Sequence, residues 1–410
     1  MQRPYMTTFN ARKRALILRR LFLWILAIGP GVIGMVADND AGGMLSYLVT
    51  GSQDHLQWFL PALFVMAPLT YVIQELALRV ALATRLPYSQ IISRKFGQTI
   101  AKFNALVLHG LNMMILVTEF IGMTSALTLL GVPWTLGLIV SLILVLGVTS
   151  FRRYRQMERL LLILAVANLA FIPSLMTLHP SVHSWRSAFS GSFTGETAFL
   201  LLSLAGNAIA PWMIFWQQNA VWAGNVQNLT SGRKDIRLGI IVQVFMATVV
   251  MLIGAFAAHA AVTGRNPLLW LQHYGGTTAA ALFAIGLFDA GFLAASTISI
   301  SSAWMVQEAF ADKLHDRSQS PTQGPYAALH IATVSVAALV VLLPHLSAAR
   351  IALWAQALGA LWMPISLLML GIIASDRRLM GTMVMHRQRQ IILTGTIFIF
   401  VLLAFCTFVG

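Results

Sequence analysis

Apolar runs long enough to cross a bilayer follow one another along this 410-residue chain, and they restrict its fold before any motif is read. One helical crossing of the hydrocarbon core takes about 20 predominantly apolar residues. That ruler marks eleven candidate spans, near residues 21–50, 57–82, 104–130, 133–150, 158–178, 196–225, 238–262, 278–310, 326–345, 349–374 and 391–409. They are numbered here as spans 1 to 11. Charge is too scarce for a water-soluble alternative, because charged residues make up 10% of the chain and hydrophobic ones 58%, where soluble domains carry about 25% charged residues. A single cysteine, Cys406, excludes an internal disulfide and a thiolate metal cluster. The fold class expected is an all-α polytopic membrane protein.

Lys and Arg set the orientation, since cytoplasmic loops carry the positive excess. With the N-terminus inside, every Lys and Arg except Arg186, Arg265 and Arg350 falls on or beside the cytoplasmic face. The chain is therefore expected in the cytoplasmic (inner) membrane, with a cytoplasmic N-terminus and an external C-terminus. The net charge of +14 becomes a topology signal, which leaves the lipid bilayer as a partner and removes the motive for binding nucleic acid. Residues 1–20 form a basic N-terminus. Its stretch Arg12 to Arg20 resembles the start of a signal peptide, but no small-residue cleavage site closes the apolar run, and span 1 reads as retained. No connection is long enough for a soluble domain, so function sits within the membrane.

An ionisable side chain at membrane depth is costly and marks a functional candidate. Of the thirteen acids, Asp38, Asp40, Glu75, Glu119 and Asp289 lie inside apolar segments. Span 1 carries Ala37-Asp38-Asn39-Asp40-Ala41-Gly42-Gly43 at its centre. Non-helical backbone at that depth is tolerated where it lines a cavity or is buried in protein, so this stretch predicts a broken helix. A break frees carbonyls at the end of the first half-helix, and that end favours a cation. With Asp40 beside it, the break has the chemistry of a cation site; the plainer reading has both aspartates capping a half-helix toward water.

Span 6 has a matching interruption at Asn207-Ala208-Ile209-Ala210-Pro211-Trp212, where proline removes a backbone donor and disfavours helix at the preceding residue. The two interruptions lie five spans apart, as an inverted repeat of five plus five helices would place them. The repeats would cover residues 21–178 and 196–374, separated by an external loop at 179–195. Residues 375–410 would add a cytoplasmic loop and span 11. On span 3, His109, Asn112 and Glu119 share one face at about 100° per residue. That stripe reads either as a proton-conducting wall or as a polar seam between packed helices, and Asp289 with Ser296 and Ser299 on span 8 poses the same choice. Glu75 is read as a structural hydrogen-bonding residue. No Walker-type phosphate loop and no zinc-type His/Cys spacing occurs. The chain is not expected to be an enzyme.

The residues resemble one family, the natural resistance-associated macrophage protein (NRAMP) divalent-metal transporters. Gly29-Pro30-Gly31 followed by Asp40-Ala41-Gly42-Gly43 is similar to the family's opening and its span-1 metal motif. Gln74-Glu75-Leu76-Ala77-Leu78-Arg79, Glu119-Phe120-Ile121-Gly122, Leu282 to Leu287, Gln356 with Pro364, and Ser375 to Gly381 extend the likeness over roughly residues 25 to 400. The resemblance implies a LeuT-like fold of eleven helices with spans 1 and 6 broken, and transport by alternating access. It implies that Asp40 is the metal carboxylate, that Ala37 and Asn207 donate backbone carbonyls, and that Gln356 is the polar residue of span 10. Gly43 and Ala210 stand where the main branch has an asparagine and a methionine ligand.

Those departures bear on substrate. Trp212 replaces a histidine, Leu116 replaces an acid on span 3, and the run Ile209 to Gln217 resembles the NRAMP-related magnesium transporters, a prokaryotic branch. Without sulfur or imidazole at the breaks, the expected ligand set is all oxygen, which suits Mg²⁺, Mn²⁺ or Ca²⁺. Loss of two bulky ligands is expected to enlarge the site for a partly hydrated ion. The reading is a secondary transporter importing Mg²⁺ or Mn²⁺, with the metal as substrate and no cofactor. Protons remain an open partner, for which Glu119, Asp289, His109 and Asp38 are the candidates. A proton-coupled Mn²⁺/Fe²⁺ symporter and a LeuT-like organic-solute carrier are the alternatives.

Overall fold

The computed structural model describes residues 34, 37–150, 154–222, 226, 228–257, 267–311, 327–343 and 347–409. Among them every regular element is helical. Seven helices are long and apolar enough to cross a membrane: Leu56–Thr84, Gln98–Leu129, Gly195–Asn219, Leu229–Ala257, Thr277–Phe310, Ala348–Ser375 and Arg387–Phe408. They are spans 2, 3, 6, 7, 8, 10 and 11. Spans 4, 5 and 9 are the shorter apolar helices Trp134–Thr149, Leu160–Met176 and Ala327–Val340. Of span 1, the helix Ala41–Gly51 and the end of the preceding half are described. Gly29-Pro30-Gly31, the basic stretch Arg12 to Arg20, Arg265, and the ends expected for spans 6, 7 and 9 lie outside the described residues.

Helical hydrogen bonding continues past the apolar boundary in several spans. Span 7 starts at Leu229 rather than near 238, so Arg233, Lys234 and Arg237 ride on its first turns. Hydropathy reports where lipid begins, not where hydrogen bonding begins. The connection 83–103 holds the helix Tyr88–Phe96, which turns into span 3 through Gly97 at φ 92°. A further helix, Pro267–Gly275, lies between spans 7 and 8. Span 5 is not the continuous helix expected: Tyr154–Leu164 passes into a 3₁₀ stretch, Ala165–Ala170, before Phe171–Met176. Pro173 offers no N–H to the Leu169 carbonyl, and Asn168 in the tightened stretch turns its carboxamide to Asp289 on span 8 at 2.6 Å.

Spans 3 and 8 form the most extensive helix pair. The second half of span 1 is wholly buried between span 7, span 10 and span 3. Its crossing with span 7 is backbone against backbone. A Cβ added at Gly51 would fall 1.9 Å from the Met251 carbonyl oxygen, and one at Gly254 would fall 2.1 Å from that of Leu48. Small residues permit such close approach, which packing in a membrane rewards in place of a hydrophobic drive.

On the side that the Lys/Arg pattern marks as cytoplasmic, Glu75 of span 2 is fully buried and holds three guanidiniums. Arg79 Nε and Arg233 Nη2 donate to its Oε1 at 2.6 Å, and Arg389 Nε lies 2.9 Å from Oε2. One carboxylate thereby joins spans 2, 7 and 11, a structural role of the kind the sequence suggested. Asp376, after span 10, caps the helix Arg377–Met380 through the Arg378 N–H and pairs with Lys95 at 2.6 Å. The Lys95 ammonium holds the Asp376 carboxyl below its ordinary range.

The glycine crossing yields a prediction. Gly254→Ala forces carbonyl and methyl apart and lowers the stability of the purified protein by about 1–3 kcal/mol, the ordinary cost of overpacking, read as a lower melting temperature in detergent. Gly110→Ala, with nothing within 4 Å of the added carbon, leaves that temperature unchanged.

Candidate metal site

Both interruptions form where the sequence places them, and they face each other. In span 1 the helix stops at Asp38, and Asp40 (φ −68°, ψ 167°) caps the next helix by accepting from the Gly43 N–H. In span 6, Gly195–Ala208 ends at Ile209 (φ −139°, ψ 81°) and Pro211–Trp222 begins two residues later. Asn207 lies against Gly43 across the gap.

The break in span 1 is held open by Glu119. The Ala41 N–H donates to Glu119 Oε2 at 2.7 Å and the Gly42 N–H to Oε1 at 3.4 Å, while Thr118 Oγ1 donates to Oε1 at 3.1 Å. In an unbroken helix those two N–H groups would be aimed at the carbonyls of Ala37 and Asp38. Glu119 diverts them and leaves those carbonyls for another electropositive partner. In span 6 the same result comes from covalent chemistry: Pro211 has no N–H for the Asn207 carbonyl four residues back. The Ala37 and Asn207 carbonyls thus lose their helical N–H partners for two different local reasons.

Asp40 is buried beside these groups. Gln356 of span 10 brings its carboxamide to 3.3 and 3.5 Å from the two Asp40 oxygens. Ala210 is buried, and its carbonyl accepts from the Met213 N–H at 3.2 Å. Trp212 is fully buried and meets Trp216 edge-on at 6.5 Å between centroids. The site gains no room at position 212, contrary to the enlargement expected there, because the indole fills its place in the core; the smaller side chain is Ala210.

Gln243 of span 7, not among the residues expected from the sequence, joins the two breaks. Its Nε2 donates to Asp38 Oδ2 and to the Ala208 carbonyl at 3.2 Å, so one side chain bridges both breaks. Asn39 Nδ2 returns a bond to the Gln243 carbonyl at 3.0 Å. Thr70 Oγ1 of span 2 also reaches the Ala208 carbonyl, at 3.2 Å. Ser46 and Ser203 meet at 3.2 Å, and Ser203 donates to the Leu353 carbonyl at 3.1 Å, tying spans 1, 6 and 10 together just beyond the site. The signal was available: Gln243 is the one amide in the run Ile240-Ile241-Val242-Gln243-Val244-Phe245. It carries no charge and so does not stand out among the ionisable groups at membrane depth.

The other candidates sit apart from these bonds. His109 Nδ1 pairs with Ser302 of span 8 at 2.8 Å and Nε2 with Thr333 of span 9 at 3.4 Å, a polar seam between three helices. Asp289 is bound by Asn168. The face that His109 and Glu119 share thus serves two separate places along span 3.

Two broken helices meeting at buried carbonyls and a carboxylate define a membrane transporter of the LeuT-like, five-plus-five inverted-repeat fold. Residues 31–410 match the family described as natural resistance-associated macrophage protein-like, and the chain belongs to it. A divalent metal cation transporter, MntH of Xanthomonas campestris pv. campestris, is 23% identical over 393 residues, covering 88% of this chain and 85% of that protein. A crystal structure of a mutant Eremococcus coleocola manganese transporter superposes with a TM-score of 0.70 at 18% identity, over 92% of this chain and 85% of that one. MHP1, a nucleobase-cation-symport-1 family transporter, shares the fold more distantly, with a TM-score of 0.51 at 11% identity over 92% and 91% of the two chains. This chain is a multi-pass membrane transporter of the divalent-metal family, and not an enzyme.

Gln243→Leu removes the bridge between the breaks while preserving bulk. A buried hydrogen bond contributes about 0.5–1.5 kcal/mol, so metal affinity measured by calorimetric titration falls by roughly two- to tenfold.

Proposed function

We propose that this protein imports a hard divalent cation, Mg²⁺ or Mn²⁺, across the cytoplasmic membrane by alternating access, binding it between the breaks of spans 1 and 6. Asp40 supplies the anionic ligand, Ala37 and Asn207 their main-chain carbonyls, and Gln356 its carboxamide oxygen once the side chain turns; Gly43 and Ala210 line the site. The observation that carries this reading is the pair of diverted hydrogen bonds: Glu119 frees the Ala37 carbonyl and Pro211 frees that of Asn207, at two breaks that meet where Asn207 lies against Gly43. Such an oxygen-only set suits ions that prefer carboxylate, carbonyl and water. The geometry also disfavours an organic-solute carrier. The N–H groups that would cradle a substrate carboxylate at the half-helix N-terminus are taken by Glu119 and Asp40.

Asp40→Ala is expected to abolish metal uptake into proteoliposomes; uptake at the unaltered rate refutes the site. Calorimetric titration with Mg²⁺, Mn²⁺ and Ca²⁺ ranks the substrates, and Ala210→Met, which adds a thioether, shifts preference toward Mn²⁺. No shift would mean that position 210 does not face the ion.

A second reading, proton-coupled Mn²⁺ or Fe²⁺ symport, draws on Glu119, a buried acid held next to the site. The manganese transporters among its relatives fit that reading for the metal. Luminal pH recorded during metal influx separates the two: acidification in step with uptake supports symport, and a flat trace alongside uptake supports uniport. The inside N-terminus rests on the Lys/Arg asymmetry, and a reporter fused after residue 410 should be accessible from outside intact cells.

A further inference from the structure

Gly43 follows Asp40 by one helical turn, and the space that its side chain would fill is already occupied. A Cβ built there would fall 2.1 Å from Asn207 Oδ1 and 2.7 Å from both its Cγ and its Nδ2. The Asn207 carboxamide therefore stands in the position of a side chain at residue 43, projecting from the opposite broken helix. Asn207 is 1% exposed. Among the described residues, neither its Oδ1 nor its Nδ2 has a hydrogen-bond partner of good geometry, although the Tyr47 hydroxyl faces it. A buried carboxamide with both ends unsatisfied is costly unless a further group completes it. Asp40, whose carboxylate accepts from the Gly43 N–H, is the adjoining anion.

We infer that the Asn207 side-chain oxygen is a ligand of the transported divalent cation, beyond the residue's main-chain carbonyl, and that Gly43 is the condition for it. The inference rests on the site proposed above. A carboxamide oxygen is a hard, neutral donor of the kind Mg²⁺ and Ca²⁺ accept. It adds a ligand without adding charge next to Asp40, while Nδ2 is left to donate toward the Tyr47 oxygen. Positions 43 and 207 then form one functional unit, in which a single amide fits and two collide.

Calorimetric titration of the full-length purified protein with Mg²⁺ and with Mn²⁺ tests this on four variants. Asn207→Ala keeps the main-chain carbonyl and is expected to weaken binding by about 10- to 100-fold, at least the loss seen when a group supporting a metal ligand is removed. Gly43→Asn alone places two carboxamides in one space and abolishes binding. Combining Gly43→Asn with Asn207→Ala moves the oxygen from span 6 to span 1 and restores binding to within a few-fold of the unaltered protein. Asn207→Asp, which needs no new space, binds at least as tightly as the unaltered protein if its oxygen meets the cation. A carboxylate that only packed there would be buried uncompensated and would weaken binding as much as alanine does. Unchanged affinity in Asn207→Ala, or weakened affinity in Asn207→Asp, overturns the inference. Asp40→Ala separates this from the underlying reading: full binding in that variant overturns the site itself, whereas lost binding there with normal Asn207→Ala overturns only the role of Asn207.

Discussion

The site depends on one buried carboxylate accepting from the exposed end of a half-helix. A helix at membrane depth has no water to satisfy its first N–H groups, so span 1 can break only if something else accepts from Ala41, Gly42 and Gly43. Glu119 takes the first two and Asp40 the third. The arrangement solves two problems together. Donors of the second half-helix are satisfied, and acceptors of the first half are released. Remove the glutamate and the cheapest repair is to rewind the helix, which would turn the Ala37 carbonyl back into an ordinary helical acceptor. Glu119 thus builds the site whether or not it also exchanges a proton.

Span 6 reaches the same end by a different route, and the contrast bears on how each can change. Pro211 releases the Asn207 carbonyl irrevocably, because no rearrangement gives proline an N–H. The Glu119 cap on span 1 is a set of hydrogen bonds that protonation or movement of span 3 can alter. Gln243 adjoins both halves of this asymmetry, with one amide against Asp38 and the Ala208 carbonyl. A buried amide with several partners specifies one arrangement, since losing any of them leaves an unsatisfied polar atom in a medium that cannot hydrate it.

Much of this was legible from the chain alone, for identifiable reasons. Breaks at Asp40 and Pro211 declare themselves because polar residues, glycine and proline conflict with an apolar helix within a few residues, and the conflict is local. Spans 8 and 10, Thr277–Phe310 and Ala348–Ser375, lie within a residue of their expected ends. Where polar residues extend the helix of an apolar run, as before span 7, hydropathy misplaces the start. The 3₁₀ stretch of span 5 brings Asn168 to Asp289, a contact across more than a hundred residues that no local pattern contains. Gln243 was visible as an amide in an aliphatic run, but its partners were not. The shared face of His109 and Glu119 left a wall and a seam equally open, because helical periodicity fixes direction around an axis, not the neighbour met at each height along it.

The backbone crossing of spans 1 and 7 has a mechanical meaning. Where Gly51 and Gly254 let main chain touch main chain, there are no side chains between the two helices to change rotamer or interdigitate anew. A contact of that kind has one geometry, so it acts as a weld and not as a bearing. The half-helix capped by Asp40 and the helix carrying Gln243 are then a single stiff strut, and whatever motion carries an ion through the protein must happen around that strut.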